Sequence, residues 1–140
     1  MVAFIVLSYN AVGTVVRTLN SVKYQIEHYG DGRRIQIILA DDCSTDGTKE
    51  VAARWIDSNK GLFDEITILE SIKNVGTCKN LGKAFRSLKT EFFLVIAGDD
   101  VISKQNVFRK MDIMEDCDVL LNSIMMFKAS DLSIIRNKRK

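Results

Sequence analysis

The chain has 140 residues, enough for one domain whose core needs neither disulfides nor a structural metal. With 46% hydrophobic and 27% charged residues and a net charge of +2, it reads as a soluble globular protein, and the charge is too small to point to nucleic acid. No apolar stretch approaches the ~18 residues of a membrane span, and the opening MVAFIVLSYN lacks the basic region of a signal peptide. Cys43, Cys78 and Cys117 have no paired spacing, which argues against zinc or a redox pair and suits a reducing compartment. Cys78 and Cys117 read as core residues, whereas Cys43 falls in a loop where a thiol is open to reaction. The expected location is cytoplasmic, with peripheral membrane attachment left open by the basic end at residues 131–140, although a solvated tail is the plainer reading of that end.

In chain order, residues 2–7 (VAFIVL) form a continuous apolar run, expected as a strand buried on both faces. Val12, Val15, Val16, Leu19, Val22 and Ile26 then recur at helical spacing, predicting a helix to about Tyr29. YGDGRR is a turn, and IQIILA (35–40) is a second buried strand. Ser44, Thr45 and Asp46 are candidate N-caps for a helix that turns Val51, Ala52, Trp55 and Ile56 inward. EITIL (65–69) is a third strand. NVGT leads into a helix with Cys78, Leu81, Ala84, Phe85 and Leu88 inward. EFFLVIA (91–97) is the fourth and most apolar strand, Ser103 is placed to cap a helix to about Glu115, and residues 117–128 have strand character. There is no repeat, no linker and no proline.

Strands alternating with helices predict a mostly parallel α/β sheet flanked by helices. Ligands of such sheets collect beyond the carboxyl ends of the strands. Three polar clusters fall there: SYN after the first strand, DDCSTD after the second, and AGDD after the fourth. Asp41, Asp42, Asp99 and Asp100 are either helix caps and solvated loop acids or the lining of one cleft. In a shared cleft, unit charges ~5 Å apart repel by ~3 kcal/mol at an effective dielectric of ~20, which favours a bound cation. Oxygen-rich sites suit Mg²⁺ or Mn²⁺, and Mg²⁺ is commonly shared with substrate phosphates.

No glycine-rich phosphate loop of the P-loop or dinucleotide type is present. His28, the single histidine, has no acid partner in its motif and reads as a surface residue, so a serine or cysteine nucleophile lacks its base.

IVLSYN, LADDCSTDGT, NVGTCKNLGKA and FLVIAGDD resemble, in order and over roughly residues 3–130, the successive signatures of glycosyltransferase family 2. That resemblance implies a GT-A (Rossmann-like) fold in residues 1–130, truncated after the metal strand. It also implies transfer of a sugar from a nucleotide-diphosphate donor to a glycan or lipid-linked acceptor in polysaccharide synthesis. Ser8, Tyr9 and Asn10 would floor the nucleotide pocket, with Tyr9 against the base. Asp42, with Asp41 beside it, would accept the base's ring N–H. Lys79, where members usually carry arginine, would meet the diphosphate. Asp99 would hold the ribose or the metal, and Asp100 the metal (Mn²⁺ or Mg²⁺). Ala97 replaces the first acid of the usual DXD motif, and Cys43 replaces a glycine.

An ionised aspartate only accepts hydrogen bonds, and uracil, thymine and guanine offer a ring N–H where neutral cytosine and adenine do not. UDP, dTDP or GDP donors are therefore favoured, and the resemblance puts UDP first. The general base is expected in an acceptor half not found in this sequence; Asp116, Asp118 and Asp131 are candidates only by elimination. An uncovered sheet edge would favour self-association. Two other classes remain: a nucleotidyltransferase, which would want a glycine- and basic-rich first loop, and a non-catalytic nucleotide- or metal-binding module.

Overall fold

The computed structural model describes residues 1–109 and the strand pair Met126–Phe127 and Ile134–Ile135. The elements run β1 (Val2–Ser8), α1 (Val15–Tyr29), β2 (Ile35–Asp41), α2 (Thr48–Ser58), a short 3₁₀ turn (Lys60–Leu62), β3 (Glu65–Glu70), α3 (Thr77–Arg86), β4 (Phe93–Ala97), β5 (Met126–Phe127) and β6 (Ile134–Ile135). β1 to β4 form one parallel sheet in the order β3-β2-β1-β4, and β5 and β6 pair antiparallel in a separate ribbon.

The central strands are apolar on both faces because both are covered. Phe4 and Val6 of β1 and Ile37 and Leu39 of β2 face α1 and α2, packing with Val15, Leu19, Val22, Ala52 and Ile56. Ile5, Ile38 and Ala40 face the other way, against Ala84 and the half-buried Leu81 of α3. Burying an aliphatic or Phe side chain of this kind contributes about 1.5–3 kcal/mol, so the sheet is anchored at β1 and β2. β3 and β4 lie on either side of that pair. Ile66 and Ile68 on β3 and Phe93 and Val95 on β4 are each about two-fifths exposed. The apolar run of β4 therefore does not mean burial on both faces, and its strand begins two residues later than the sequence suggests.

Four further expectations change. α1 starts at Val15, leaving Val12 exposed, because the amides of Ala11 and Val12 donate to Thr48 Oγ1 and the Asp46 carboxylate instead of opening a helix. α2 has Gly47 at its N-cap position, with φ 89°, and of Ser44, Thr45 and Asp46 it is Asp46 that reaches the helix start, accepting the Thr48 N–H at 3.0 Å. α3 turns Asn80 and Ala84 inward while Cys78 and Phe85 are exposed. The Phe85 and Phe93 rings instead meet each other, 5.0 Å between centroids, at the edge of the face that α3 covers.

The fourth change lies after the acid pair. Asn106 Oδ1, not Ser103, accepts the N–H three residues on, from Arg109. The helix expected to run on to Glu115, Cys117, and most of residues 117–128 and 131–140 lie outside the described residues. His28 is exposed and stacks on Tyr24, 3.8 Å between centroids. Among the described residues no helix is long and apolar enough to cross a membrane.

Phe108 closes the core beneath α1. It is 1% exposed and meets Phe4 edge-on at 5.9 Å, with the Arg33 guanidinium 5.8 Å from its ring centroid. Phe108→Ala should destabilise the fold by about 3–5 kcal/mol. Urea unfolding would show this as a lower midpoint at unchanged slope.

Candidate functional site: a crevice at the carboxyl ends of β1 and β4

The chain steps from β1 outward to β2 and β3, then returns to the other side of β1 for β4. The carboxyl ends of β1 and β4 consequently point into loops that diverge, which is where open α/β sheets form a crevice. A cavity of about 530 Å³ lies there. Its floor is Leu7 and Ser8 from β1 with Ala97 and Gly98 from β4; Tyr9, Asn10, Ala11 and Thr14 form one wall, and Asp42, Asn74, Gly76, Thr77 and Asn80 the other, with Asp99 at the rim.

The two sides are drawn together by hydrogen bonds. Gly98 N–H donates to the Leu7 carbonyl at 2.7 Å, and a Cβ on Gly98 would stand 3.3 Å from that oxygen and from Ser8 Cβ. A side chain at Gly98 would thus have to push the strand ends apart by a few tenths of an ångström.

Of the residues singled out from sequence, Ser8, Tyr9, Asn10, Asp42 and Asp99 line this one cavity. Asp41, Lys79 and Asp100 do not. Asp41 is 1% exposed, and its carboxylate is taken up internally: it accepts from Ser8 Oγ at 2.9 Å, Ser44 N–H at 2.8 Å and Ser44 Oγ at 2.6 Å. Lys79 is exposed in the first turn of α3. Asp100 is exposed beside Asp99.

Asp42 is 4% exposed and has both oxygens engaged, accepting Val75 N–H at 2.9 Å and Gly76 N–H at 2.8 Å. It therefore fixes the β3–α3 loop as the cavity wall. A carboxylate has roughly four lone-pair positions, so each oxygen keeps acceptor capacity. Gly76 takes φ 85° and ψ 156°, a conformation essentially reserved for glycine, and this brings its amide to Asp42.

Asn10 is the opposite anchor. Held at φ 46°, it donates its N–H to Ser44 Oγ at 2.9 Å and accepts Thr45 N–H on its side-chain oxygen at 2.9 Å. Asp46 accepts from Val12 and Thr48, and the Thr48 hydroxyl bond in particular lowers its pKa. The STD triplet thus stitches the β2–α2 loop to the β1–α1 loop.

Electrostatically the four acids are not one cluster. Backbone and hydroxyl donors absorb Asp41 and Asp42, leaving Asp99 and Asp100 as the adjacent pair. Burial, and then the neighbouring Asp99 charge, raise the Asp100 pKa above its ordinary 3.8. Among the described residues no three His, Cys, Asp or Glu side chains converge to hold an ion by themselves. Two neighbouring carboxylates fit a hard divalent ion that takes its remaining oxygens from water and a diphosphate, the usual Mg²⁺ arrangement.

Sequence reading missed Thr14, Thr77 and Asn80. Asn80 is 2% exposed; its Nδ2 donates to the Ala40 carbonyl at 2.8 Å, and its Oδ1 has no partner among the described residues. The available signal was that a polar residue sits at the inward position of α3, four residues before Ala84. A second cavity of about 450 Å³, at the far end of α1, mixes Glu27, Asp31 and Arg33 with His28 and Phe108 and gathers no convergent set.

A parallel sheet with a switch-point crevice and acids at its rim places this chain among the open-sheet α/β domains. Residues 3–139 match the model for glycosyl transferase family 2, and the chain belongs to that family, which acts on nucleotide-diphosphate sugars, and has its GT-A-like fold. A curated relative, the succinoglycan biosynthesis protein ExoO of Rhizobium meliloti (strain 1021), is 25% identical over 111 residues, covering 79% of this chain and 29% of that protein. The mannosyltransferase PcManGT from Pyrobaculum calidifontis, solved in complex with GDP-Man and Mn²⁺, superposes with a TM-score of 0.71 at 23% identity, covering 83% of this chain and 32% of that one. S. aureus TarS 1-349 in complex with UDP-GlcNAc gives 0.65 at 22% identity, covering 82% and 31%. The chain thus spans about a third of the length of these relatives.

Two outcomes follow from the site's electrostatics. Asp41→Ala leaves Ser8 and the Ser44 amide without their acceptor and should cost about 3 kcal/mol, read from denaturant unfolding. Asp100 has the opposite sign. Its carboxyl holds a proton more tightly folded than unfolded, so stability is lost as pH rises from below 3.8 through the raised value. Asp100→Asn should therefore melt above the wild type at neutral pH, with the difference closing below pH 3.8 in calorimetric scans.

Proposed function

We propose that this chain supplies the donor-nucleotide site of a glycosyltransferase that moves a sugar from a UDP-sugar, with Mn²⁺ or Mg²⁺, to a glycan or lipid-linked acceptor in polysaccharide synthesis. The observation that carries the reading is the convergence of Ser8, Tyr9, Asn10, Asp42 and Asp99 on one cavity at the switch point. Support for the donor class comes from the two solved relatives, one holding GDP-Man and Mn²⁺ and the other UDP-GlcNAc.

In this reading Asp42, pre-set by the Val75 and Gly76 amides, accepts the ring N–H of the base with its remaining lone pairs. Tyr9, half exposed at the cavity wall, offers its ring face to the base. Asp99 reaches the ribose or the ion, and Asp100 faces the ion. Lys79, on the first turn of α3, supplies a point charge to the diphosphate, less directional than the guanidinium usual there. The unpaired N-terminal amides of a helix add to that attraction for an anion. A bound divalent ion would offset the Asp99–Asp100 repulsion and stabilise negative charge on the departing diphosphate.

Thermal unfolding with UDP, dTDP, GDP, CDP and ADP, with and without Mn²⁺, tests the assignment. UDP at ~100 times its dissociation constant should stabilise the fold by ~2.7 kcal/mol, with dTDP and GDP next and CDP and ADP inert. Asp99→Asn with Asp100→Asn should remove the Mn²⁺ increment. No shift with any nucleotide, or a Mn²⁺ increment that survives the double substitution, contradicts the proposal.

A further inference from the structure

From Gly98 onward the backbone runs along α1, and the N-cap Thr14 with four side chains of the helix meets it. Thr14 Oγ1 donates to the Gly98 carbonyl at 3.0 Å, and Thr18 Oγ1 to the Asp100 carbonyl at 2.7 Å. Ser21 Oγ accepts the Ile102 N–H at 3.0 Å. Gln25 donates to the Ser103 carbonyl at 2.7 Å and accepts the Val107 N–H at 3.1 Å, and Tyr29 OH donates to the Lys104 carbonyl at 2.9 Å. Steps of three and four residues place all five on one stripe of the helix, beside its apolar stripe.

The stripe is not an accident of surface polarity, since Thr18, Ser21 and Gln25 are all buried. A buried threonine in mid-helix has poorer helix propensity than leucine or alanine, and a valine would fill the same volume. What valine lacks is the hydroxyl.

The consequence falls on the acids. The Gly98 amide is held by Leu7 and its carbonyl by Thr14; the Asp100 amide is held by the Ala97 carbonyl at 3.0 Å and its carbonyl by Thr18. Asp99 therefore stands between two residues, Gly98 and Asp100, each held through both its N–H and its C=O. Both acids are exposed, and the pinned backbone sets where their side chains start.

We infer that Thr18, seconded by Thr14, is a positioning residue for the acid pair: its hydroxyl fixes the Asp100 peptide and so aims both carboxylates at a shared divalent ion. This rests on the donor-site reading above. Residues that orient the ligands of an ion typically change its affinity by about 10–100-fold when removed.

The test compares the full chain with Thr18→Val and Thr18→Ser, titrating Mn²⁺ at saturating UDP and following free Mn²⁺ by electron paramagnetic resonance. Thr18→Val should bind Mn²⁺ about tenfold more weakly and Thr18→Ser within about threefold of wild type. Metal-free UDP affinity should be equal in all three. Thr18→Ala, which removes the same hydroxyl and has the better helix propensity, gives the same readout should Thr18→Val fail to fold. Unchanged Mn²⁺ affinity in the valine variant, equal losses in valine and serine, or a parallel fall in metal-free UDP affinity overturns the inference.

Should wild type hold no Mn²⁺ with UDP, the donor-site reading fails, and backbone amide exchange decides the positioning claim separately. Exchange at Asp100 and Ile102 should then quicken at least tenfold in Thr18→Val and not in Thr18→Ser, with Val6 and Ile38 unaffected. No local quickening overturns it.

Discussion

Beyond the carboxyl ends of parallel strands, backbone N–H and C=O groups lose their ladder partners, and a buried unpaired group costs about as much as a lost hydrogen bond. This chain meets that constraint with side chains. Asp41 ties β1 to the β2–α2 loop through Ser8 and Ser44, and Asp42 holds the β3–α3 loop through two amides. Asn10, Asp46 and Thr48 join the first two loops. The crevice is therefore built before any ligand enters, which lowers the ordering cost of binding.

The same device recurs away from the crevice. Gln25 and Gln36 are both fully buried, and each uses both ends of its amide on a passing segment, Gln25 on residues 103–107 and Gln36 on the Ser87 carbonyl and Lys89 N–H. One staple sits on the α1 face of the sheet and the other beside α3, at the far end of the strands from the acids. Both guide a connection into or out of β4, whose Phe93 and Val95 stay partly exposed. Placement of the acids at the end of β4 therefore depends on polar side chains as much as on apolar packing.

How much of this was legible in the sequence depends on the kind of force involved. VAFIVL and IQIILA are long enough and apolar enough to announce strands covered on both faces, and their positions fixed the edge at which SYN and DDCSTD emerge. The fourth strand misled because an apolar run cannot say how much of it will be covered: Phe93 and Val95 remain exposed. Cys78 and Phe85 were assigned inward on α3 because both are apolar, yet the helix is rotated to place Asn80 on the Ala40 carbonyl. A single satisfied polar group set the rotation, and a hydrophobic period cannot register it. The polar stripe Thr14, Thr18, Ser21, Gln25 and Tyr29 was present at helical spacing all along. It was overlooked because polar residues on a helix are ordinarily solvated, and only the path of residues 98–107 gives them partners. Within the site, the acids were found by their positions at strand ends, while the division of labour between Asp41 and Asp42 needed coordinates.

The central claim is that one crevice between β1 and β4 takes the nucleotide while the acid pair at its rim takes the ion. Backbone amide spectra of the isotope-labelled chain test it most directly, first with UDP alone and then with Mn²⁺ added. The account predicts that UDP moves the signals of Tyr9, Asn10, Val75 and Gly76, and that Mn²⁺ then broadens those of Gly98 to Val101 through its unpaired electrons. Shifts confined to the Glu27–Arg33 end of α1, or broadening that bypasses Asp99 and Asp100, would contradict it.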